Sequence, residues 1–286
     1  QFAERQIRYR PDPQGLAHVV AARAAMAAEA HEHAESILAR LRSRFPNSDV
    51  AHIEFAEIAR RKGGSQAAID VIVASELDLT DPANINALRS LVSDHLAIGQ
   101  AGEARNAIQA AITAHPSDPG AQDLLGRFHR ISGNNPEALA AFDAALAAAP
   151  DRADTLRAKA EILRDQGDLR GAEELLNRSL ESEPRSSESL YLIGQLALMR
   201  GDTPSAETRF RGALDADPSL LGANNDLAWI LASEGRDLDT ALRMAQRAVE
   251  IEPTADTLDT LGYVYLRRGD SNEAVETLYQ ALQARP

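Results

Sequence analysis

The sequence contains no cysteine, which excludes disulfides and thiolate zinc sites and leaves both the bacterial periplasm and the cytoplasm open. Lysine is nearly missing: Lys62 and Lys159 are the only two among 30 basic residues, so arginine supplies the positive charge. Acids outnumber bases and the net charge is −13, which disfavours nucleic acid as a partner. Aromatic residues make up 4% of the chain, with a single tryptophan, whereas the 44% of hydrophobic residues owes much to alanine. That balance suits many thin helix–helix seams and argues against one thick core. No apolar run approaches membrane-spanning length. A phosphate-binding Gly-rich loop, a Gly-x-Ser-x-Gly elbow and a His-Glu-x-x-His pair are all absent, so no catalytic, cofactor-binding or metal-ligating residue is assigned and no enzyme is expected. The tripeptide His31-Glu32-His33 has metal-ligand residue types, but alternate residues on a helix point to different faces. Nor does the chain open with methionine or a signal peptide.

What the sequence does have is a period. Pro82, Pro116, Pro150, Pro184 and Pro218 are each 34 residues apart. In the same phase run Ala34, Ala68, Ala104, Ala138, Ala172, Ala206 and, one residue late, Ala241. Glycine recurs at Gly63, Gly99, Gly133, Gly167, Gly201 and Gly235. The stretch from Ala255 to Pro286 carries the whole phrase: Leu258, Leu261, Gly262, Tyr265, Gly269, Ala274, Leu278, Ala281 and Pro286. Gly262, Ala274 and Ala281 are small where two helices must approach closely, and Leu258, Leu261, Tyr265 and Leu278 fill what remains. Gly269 can take the left-handed conformation that ends a helix, and Pro286 cannot continue one.

This pattern resembles the tetratricopeptide repeat, a helix–turn–helix unit of 34 residues. The resemblance implies an all-α fold, a right-handed superhelical solenoid of tandem helix–turn–helix repeats with its first helices lining a concave groove. Residues 1–14 then hold a second-helix remnant of a preceding repeat, at Phe2–Arg10, and eight repeats follow over 15–48, 49–84, 85–118, 119–152, 153–186, 187–220, 221–254 and 255–286. The first is the least regular, with Glu29 where glycine is usual and Pro46 closing its second helix. Two extra residues fall in the acidic loop Glu76–Asp81 and one in Arg236–Thr240. His95 and His129 occupy equivalent places, where packed histidines are expected. No polar capping helix follows Pro286, so the chain reads as a piece of a longer array, and end-to-end self-association through Val275, Leu278 and Leu282, or fraying of that helix, is expected.

A narrower phrase lies near the end: Asn224-Asn225-Asp226-Leu227-Ala228-Trp229, Gly235-Arg236-Asp237-Leu238, Ala241 and Asp259-Thr260-Leu261-Gly262-Tyr263-Val264-Tyr265. It is similar to repeats of bacterial exopolysaccharide-export proteins, including lipoproteins that accompany PEP-CTERM sorting systems. Carrying the family's groove positions over implies a partner-binding set of Arg89, Arg127, Arg130, Arg157, Arg164, Tyr191, Gln195, Met199, Asn225, Trp229 and Tyr263. Arg23, Arg60 and Arg61 share those positions, as do Glu57, Asp123, Glu161, Asp165 and Asp259. The lysine–asparagine clamp by which some members hold chaperone C-termini is not present. The expected function is a non-catalytic scaffold holding a protein or peptide in the groove, within a bacterial exopolysaccharide secretion machine and in the periplasm. The alternatives are contact with an acidic exopolysaccharide, and a cytoplasmic location.

Overall fold

The computed structural model describes residues 16–28, 30–45 and 49–285. The expected half-helix at Phe2–Arg10, Glu29 and the helix-ending prolines Pro46 and Pro286 lie outside the described residues. Among the described residues there are fifteen α-helices, one short 3-10 turn and no β-strand. The chain divides into two compact units, Gln1–Pro150 and Asp151–Pro286. The first contains α1 (Leu16–Ala27), α2 (His31–Arg44), α3 (Asp49–Val73), the 3-10 turn Pro82–Asn84, α4 (Ile85–Ala97), α5 (Ala101–Ala114), α6 (Pro119–Ile131) and α7 (Asn135–Ala148). The second contains α8 (Ala153–Asp165), α9 (Leu169–Ser182), α10 (Ser187–Met199), α11 (Thr203–Ala216), α12 (Leu221–Glu234), α13 (Leu238–Ile251), α14 (Ala255–Arg268) and α15 (Ser271–Ala284). None of these helices is long and apolar enough to cross a membrane.

From the third helix pair on, the turn inside the pair is set by one glycine. Gly99, Gly133, Gly167, Gly201, Gly235 and Gly269 have φ between 66° and 91°, and the residue after each donates its backbone N–H five residues back at 2.8–3.0 Å. This closes the free carbonyls of the first helix with a geometry that side-chain-bearing residues resist. The second pair departs from the sequence expectation. There the positive-φ residue is Gly64 (φ 76°, ψ −173°) and not Gly63, and α3 is two helices meeting at a kink there. With glycine at both places the backbone is free to turn at either, and turning one residue late leaves a shorter link to the buried Ala68. The extra residues of the other loops are absorbed by turns. Glu76 adopts φ 58°, and Asp78 accepts from the Thr80 N–H (3.0 Å) and from the Asn84 amide through its carbonyl (3.0 Å). Asp237 takes φ 41° and caps α13 by accepting from Thr240 N–H at 3.3 Å.

The two helices of a pair meet where a side chain is missing. A Cβ on Gly126 would lie 2.4 Å from the ring of Phe142, one on Gly194 2.4 Å from the ring of Phe210, and one on Gly262 2.6 Å from Leu278. Phe142 and Phe210 are completely buried. Where the first helix carries alanine at this position, as at Ala56 and Ala160, the second offers the smaller Ile72 and Leu176. In two pairs a phenylalanine ring thus fills the space that glycine leaves, as close packing demands.

Gly194→Val is therefore expected to lower stability by about 1–3 kcal/mol through overpacking. Combining Gly194→Ala with Phe210→Leu should cost less than the sum of the two single changes. Urea denaturation followed by circular dichroism measures both; strict additivity would mean that the glycine and the ring are not sharing one space.

Candidate functional site

Within the first unit, the arginines on the first helices of the pairs are answered by carboxylates on the same or the neighbouring first helix. Arg23 on α1 donates to Glu54 on α3 through Nε (2.9 Å) and Nη2 (2.5 Å). Arg60 forks onto Asp94 of α4 at 2.8 and 2.7 Å and also pairs with Glu57, while Arg61 pairs with Glu57 at 2.9 Å. Arg127 meets Asp123 at 2.8 Å, and Arg89 lies 3.9 Å from the same carboxylate. Arg130 is half-buried and engaged within the protein. Glu54, Asp94 and Asp123 are buried, so removing an arginine would leave an uncompensated interior charge, a loss of about 3–5 kcal/mol. A cleft of about 400 Å³ between α1 and α3 is lined by Arg23, Glu54, Glu57, Arg60 and Arg61, and each of these charges already has its partner.

In the second unit Arg157 is largely buried and donates to Glu183 (2.7 Å) and Ser186 (3.1 Å), and pairs with Asp154. Arg164 pairs with Asp165 and donates to Gln195 Oε1 at 2.7 Å. From there a polar chain runs through three helix pairs. Gln195 donates to the Tyr191 hydroxyl (2.7 Å), which donates to Asp226 Oδ2 (3.0 Å), and Asn225 donates to Asp226 Oδ1 (3.3 Å). Gly222 makes room for Tyr191, since a Cβ there would be 2.3 Å from the hydroxyl. Burial pushes the Asp226 carboxyl above the ordinary carboxylate range, against the donors Asn225, Tyr191 and Gln195. Burial and the neighbouring Asp226 likewise push the Tyr191 phenol up. The Asn225 Oδ1 is buried and accepts no hydrogen bond. Sequence reasoning passed over Asp226, which lies one position off the groove register; the polar pair Asn225-Asp226 beside an otherwise apolar helix start was the available signal.

The three aromatic residues expected on this face have different fates. Tyr191 stacks at a tilt on Phe210, with centroids 5.5 Å apart, and spends its hydroxyl on Asp226. Tyr263 lies under the Arg267 guanidinium at 5.9 Å and accepts from it at 3.0 Å, while Arg267 also donates to the Ser233 carbonyl at 2.9 Å. Trp229 is 50% exposed, one helical turn beyond Asn225 on α12. Met199, at the end of α10, is 55% exposed. Asp259 is exposed on α14. The equivalent histidines are half-buried at their seams: His95 Nδ1–H donates to Gln100 Oε1 at 2.7 Å, and His129 meets Phe128 edge-on at 5.7 Å. His31 and His33 open α2, and among the described residues no three potential ligands gather as a metal site.

A tetratricopeptide-repeat family model matches residues 90–153 and 157–220, and a second tetratricopeptide-repeat model matches 255–286. Similar solved structures include pilF of Pseudomonas aeruginosa (18% identity, 71% of this chain and 92% of that one, TM-score 0.63). PilW, a type IV pilus biogenesis factor, is 20% identical over 70% of this chain and 93% of its own, with a TM-score of 0.59. A tetratricopeptide repeat protein from Parabacteroides merdae is 19% identical over 84% and 94%, with a TM-score of 0.57. Identities this low establish the fold and nothing finer. No curated protein matches the sequence.

The buried carboxylate yields a stability test with a definite sign. In the folded chain Asp226 holds its proton above the ordinary value of 3.8, so its contribution falls as pH rises through that window and the penalty persists at neutral pH. Asp226→Asn removes the charge and supplies a donor for Asn225 Oδ1. Its melting temperature at pH 7 should equal or exceed that of the wild type, and the gap should close as pH falls toward about 4. A variant that melts lower at every pH would show that the carboxylate, charge included, stabilises this seam.

Proposed function

This chain belongs to the tetratricopeptide-repeat family, and on that premise we propose that it is a non-catalytic scaffold that holds a protein or peptide partner on its first-helix face. The observation that carries the reading is Trp229. Tyr191, Gln195 and Tyr263 of that face are committed to neighbouring groups, whereas a half-exposed indole on a rigid helix is held out to solvent. Exposed aromatics of this kind anchor interfaces, because they bring large area at low entropy cost. Met199 adds a second exposed apolar contact.

The finer placement is within a bacterial exopolysaccharide secretion machine, in the periplasm, and the likeness of residues 224–265 to export-system repeats supports it. A protein partner is preferred over an acidic polysaccharide, since Arg157 and Arg164 already answer carboxylates or amides of this chain. Trp229→Ala should weaken capture of the partner by about 2 kcal/mol or more, roughly thirtyfold in Kd, with helix content intact. Pull-down from the source cells with wild type and variant measures it. Components of a polysaccharide-export complex among the lost proteins would support the finer placement, and a partner held equally by both proteins would remove Trp229 from recognition.

A second surface favours self-association. Val275, Tyr279 and Leu282 lie along one side of α15 and are 71%, 62% and 65% exposed. Their counterparts on α13, Leu242 and Val249, pack against the cluster that includes Leu261 and Val264 of α14, and Gln246 reaches Tyr265 at 3.4 Å. The α15 stripe is thus shaped to receive another first helix, and we assign it to end-to-end contact between copies. Sedimentation across a concentration series should show association that Tyr279→Arg abolishes; a monomer at every concentration would overturn the assignment.

A further inference from the structure

Three buried acids of the first helices, Glu54, Asp94 and Asp123, are each paired with an arginine, and the half-buried Asp226 is not. Glu54 on α3 receives its cation from Arg23, 31 residues earlier on the preceding first helix. Asp226 on α12 occupies the equivalent place, and the residue 31 before it is Gln195. Glutamine completes the hydrogen bonding through Tyr191 but brings no charge. Asp226 has no cationic partner within ion-pair distance among the described residues. Arg164 and Arg267, the cations of the neighbouring first helices, are taken by Gln195 and Asp165, and by Ser233 and Tyr263.

Three further features gather around that missing charge. Trp229 is three residues on from Asp226 along α12, with its indole half-exposed. Asn225, one turn before Trp229, holds a buried oxygen that lacks a donor. Asp259 stands exposed on α14 at the place equivalent to Asn225. A carboxylate without a cation, an exposed carboxylate beside it in the next pair and an open π-face ask for one kind of group. It must be flat enough to lie on an indole, positively charged, and able to donate several hydrogen bonds in a fork.

We propose that the surface formed by Trp229, Asp226 and Asp259 binds an arginine side chain of the partner, presented by a basic, extended segment. This rests on the scaffold reading above and specifies its partner chemistry. The guanidinium stacks on Trp229 and donates to the Asp226 carboxylate and to Asp259, supplying from outside the charge that Arg23 supplies from inside at Glu54. The chain's net charge of −13 steers such a segment toward it.

Trp229 is the only tryptophan, so intrinsic fluorescence of the full chain reports on the site directly. The probes are capped tetrapeptides identical except at one residue: arginine, citrulline or glutamate. The arginine peptide should change the emission saturably and bind at least about tenfold more tightly than the citrulline peptide, the glutamate peptide weakest, with a preference that shrinks as salt rises. Asp226→Asn should erase the preference for arginine over citrulline. Gln195→Arg, which restores the internal cation, should erase it too while raising the melting temperature. This second variant separates a lost charge from a damaged fold. Equal binding of arginine and citrulline peptides, or a preference that survives both variants, would overturn the proposal and leave the scaffold reading standing. The absence of any response to the arginine peptide up to about 10 mM would also overturn it. The scaffold reading would then be decided separately, by whether Trp229→Ala still captures the intact partner.

Discussion

The absence of a Cβ at one position of the first helix governs much of this structure. At Gly126, Gly194 and Gly262 the second helix of the pair drives a large side chain into the space where that carbon would be. Helices that touch at this depth cannot slide or rotate without a clash, because interiors are packed as densely as organic crystals. The pair is thereby rigid, and its rigidity fixes how one first helix is presented to the next. In the first three pairs, where this position carries Ala22, Ala56 and Val92 instead, packing of the same kind lets an arginine on one first helix meet a carboxylate 31 or 34 residues later, as Arg23 meets Glu54 and Arg60 meets Asp94. Packing sets the distance, and charge then sets the register along it.

This ordering explains what could and could not be read from the sequence. The period, the helical class and the turn glycines are local signals: a left-handed residue at the same phase and small residues where helices touch. Gly63-Gly64 was ambiguous because two adjacent glycines remove the constraint that would have chosen between them. The arginines were readable as a face but not as a role. Some partners lie a turn away on the same helix, as Asp123 does for Arg127, and others a whole repeat away, as Asp94 does for Arg60, and pairing is what separates a structural arginine from a recognition one. Asp226 escaped for a related reason, since its importance lies in a partner that is missing.

Arginine does nearly all of this work, with two lysines in the whole chain. A guanidinium can fork onto one carboxylate, as Arg60 does onto Asp94, and can touch a second neighbour at the same time, as Arg60 does with Glu57. An ammonium is a point charge with a larger hydration cost and would hold such a seam less well. The result is a first-helix face rich in charge yet largely neutralised within itself. Such a face resists non-specific attraction, so the places where its pairing is incomplete stand out electrostatically.

The seam between α10 and α12 is where that incompleteness coincides with an exposed indole. Here Gln195 replaces an arginine, a carboxylate is raised in pKa by burial, and an amide oxygen goes without a donor. Each of these lowers the stability of the free chain, and each could be relieved by a single substitution. Seams elsewhere in the chain use such a solution, which makes poor tolerance of charge an inadequate explanation. A site that binds must keep some of its interactions unmade until the ligand arrives, and the free protein is less stable for it. The cost stays small because Tyr191, held by Phe210 and Gly222, keeps Asp226 hydrogen-bonded in the meantime. The same hydroxyl that makes the buried carboxylate tolerable also holds it in position, so that the seam is ordered before any partner reaches it.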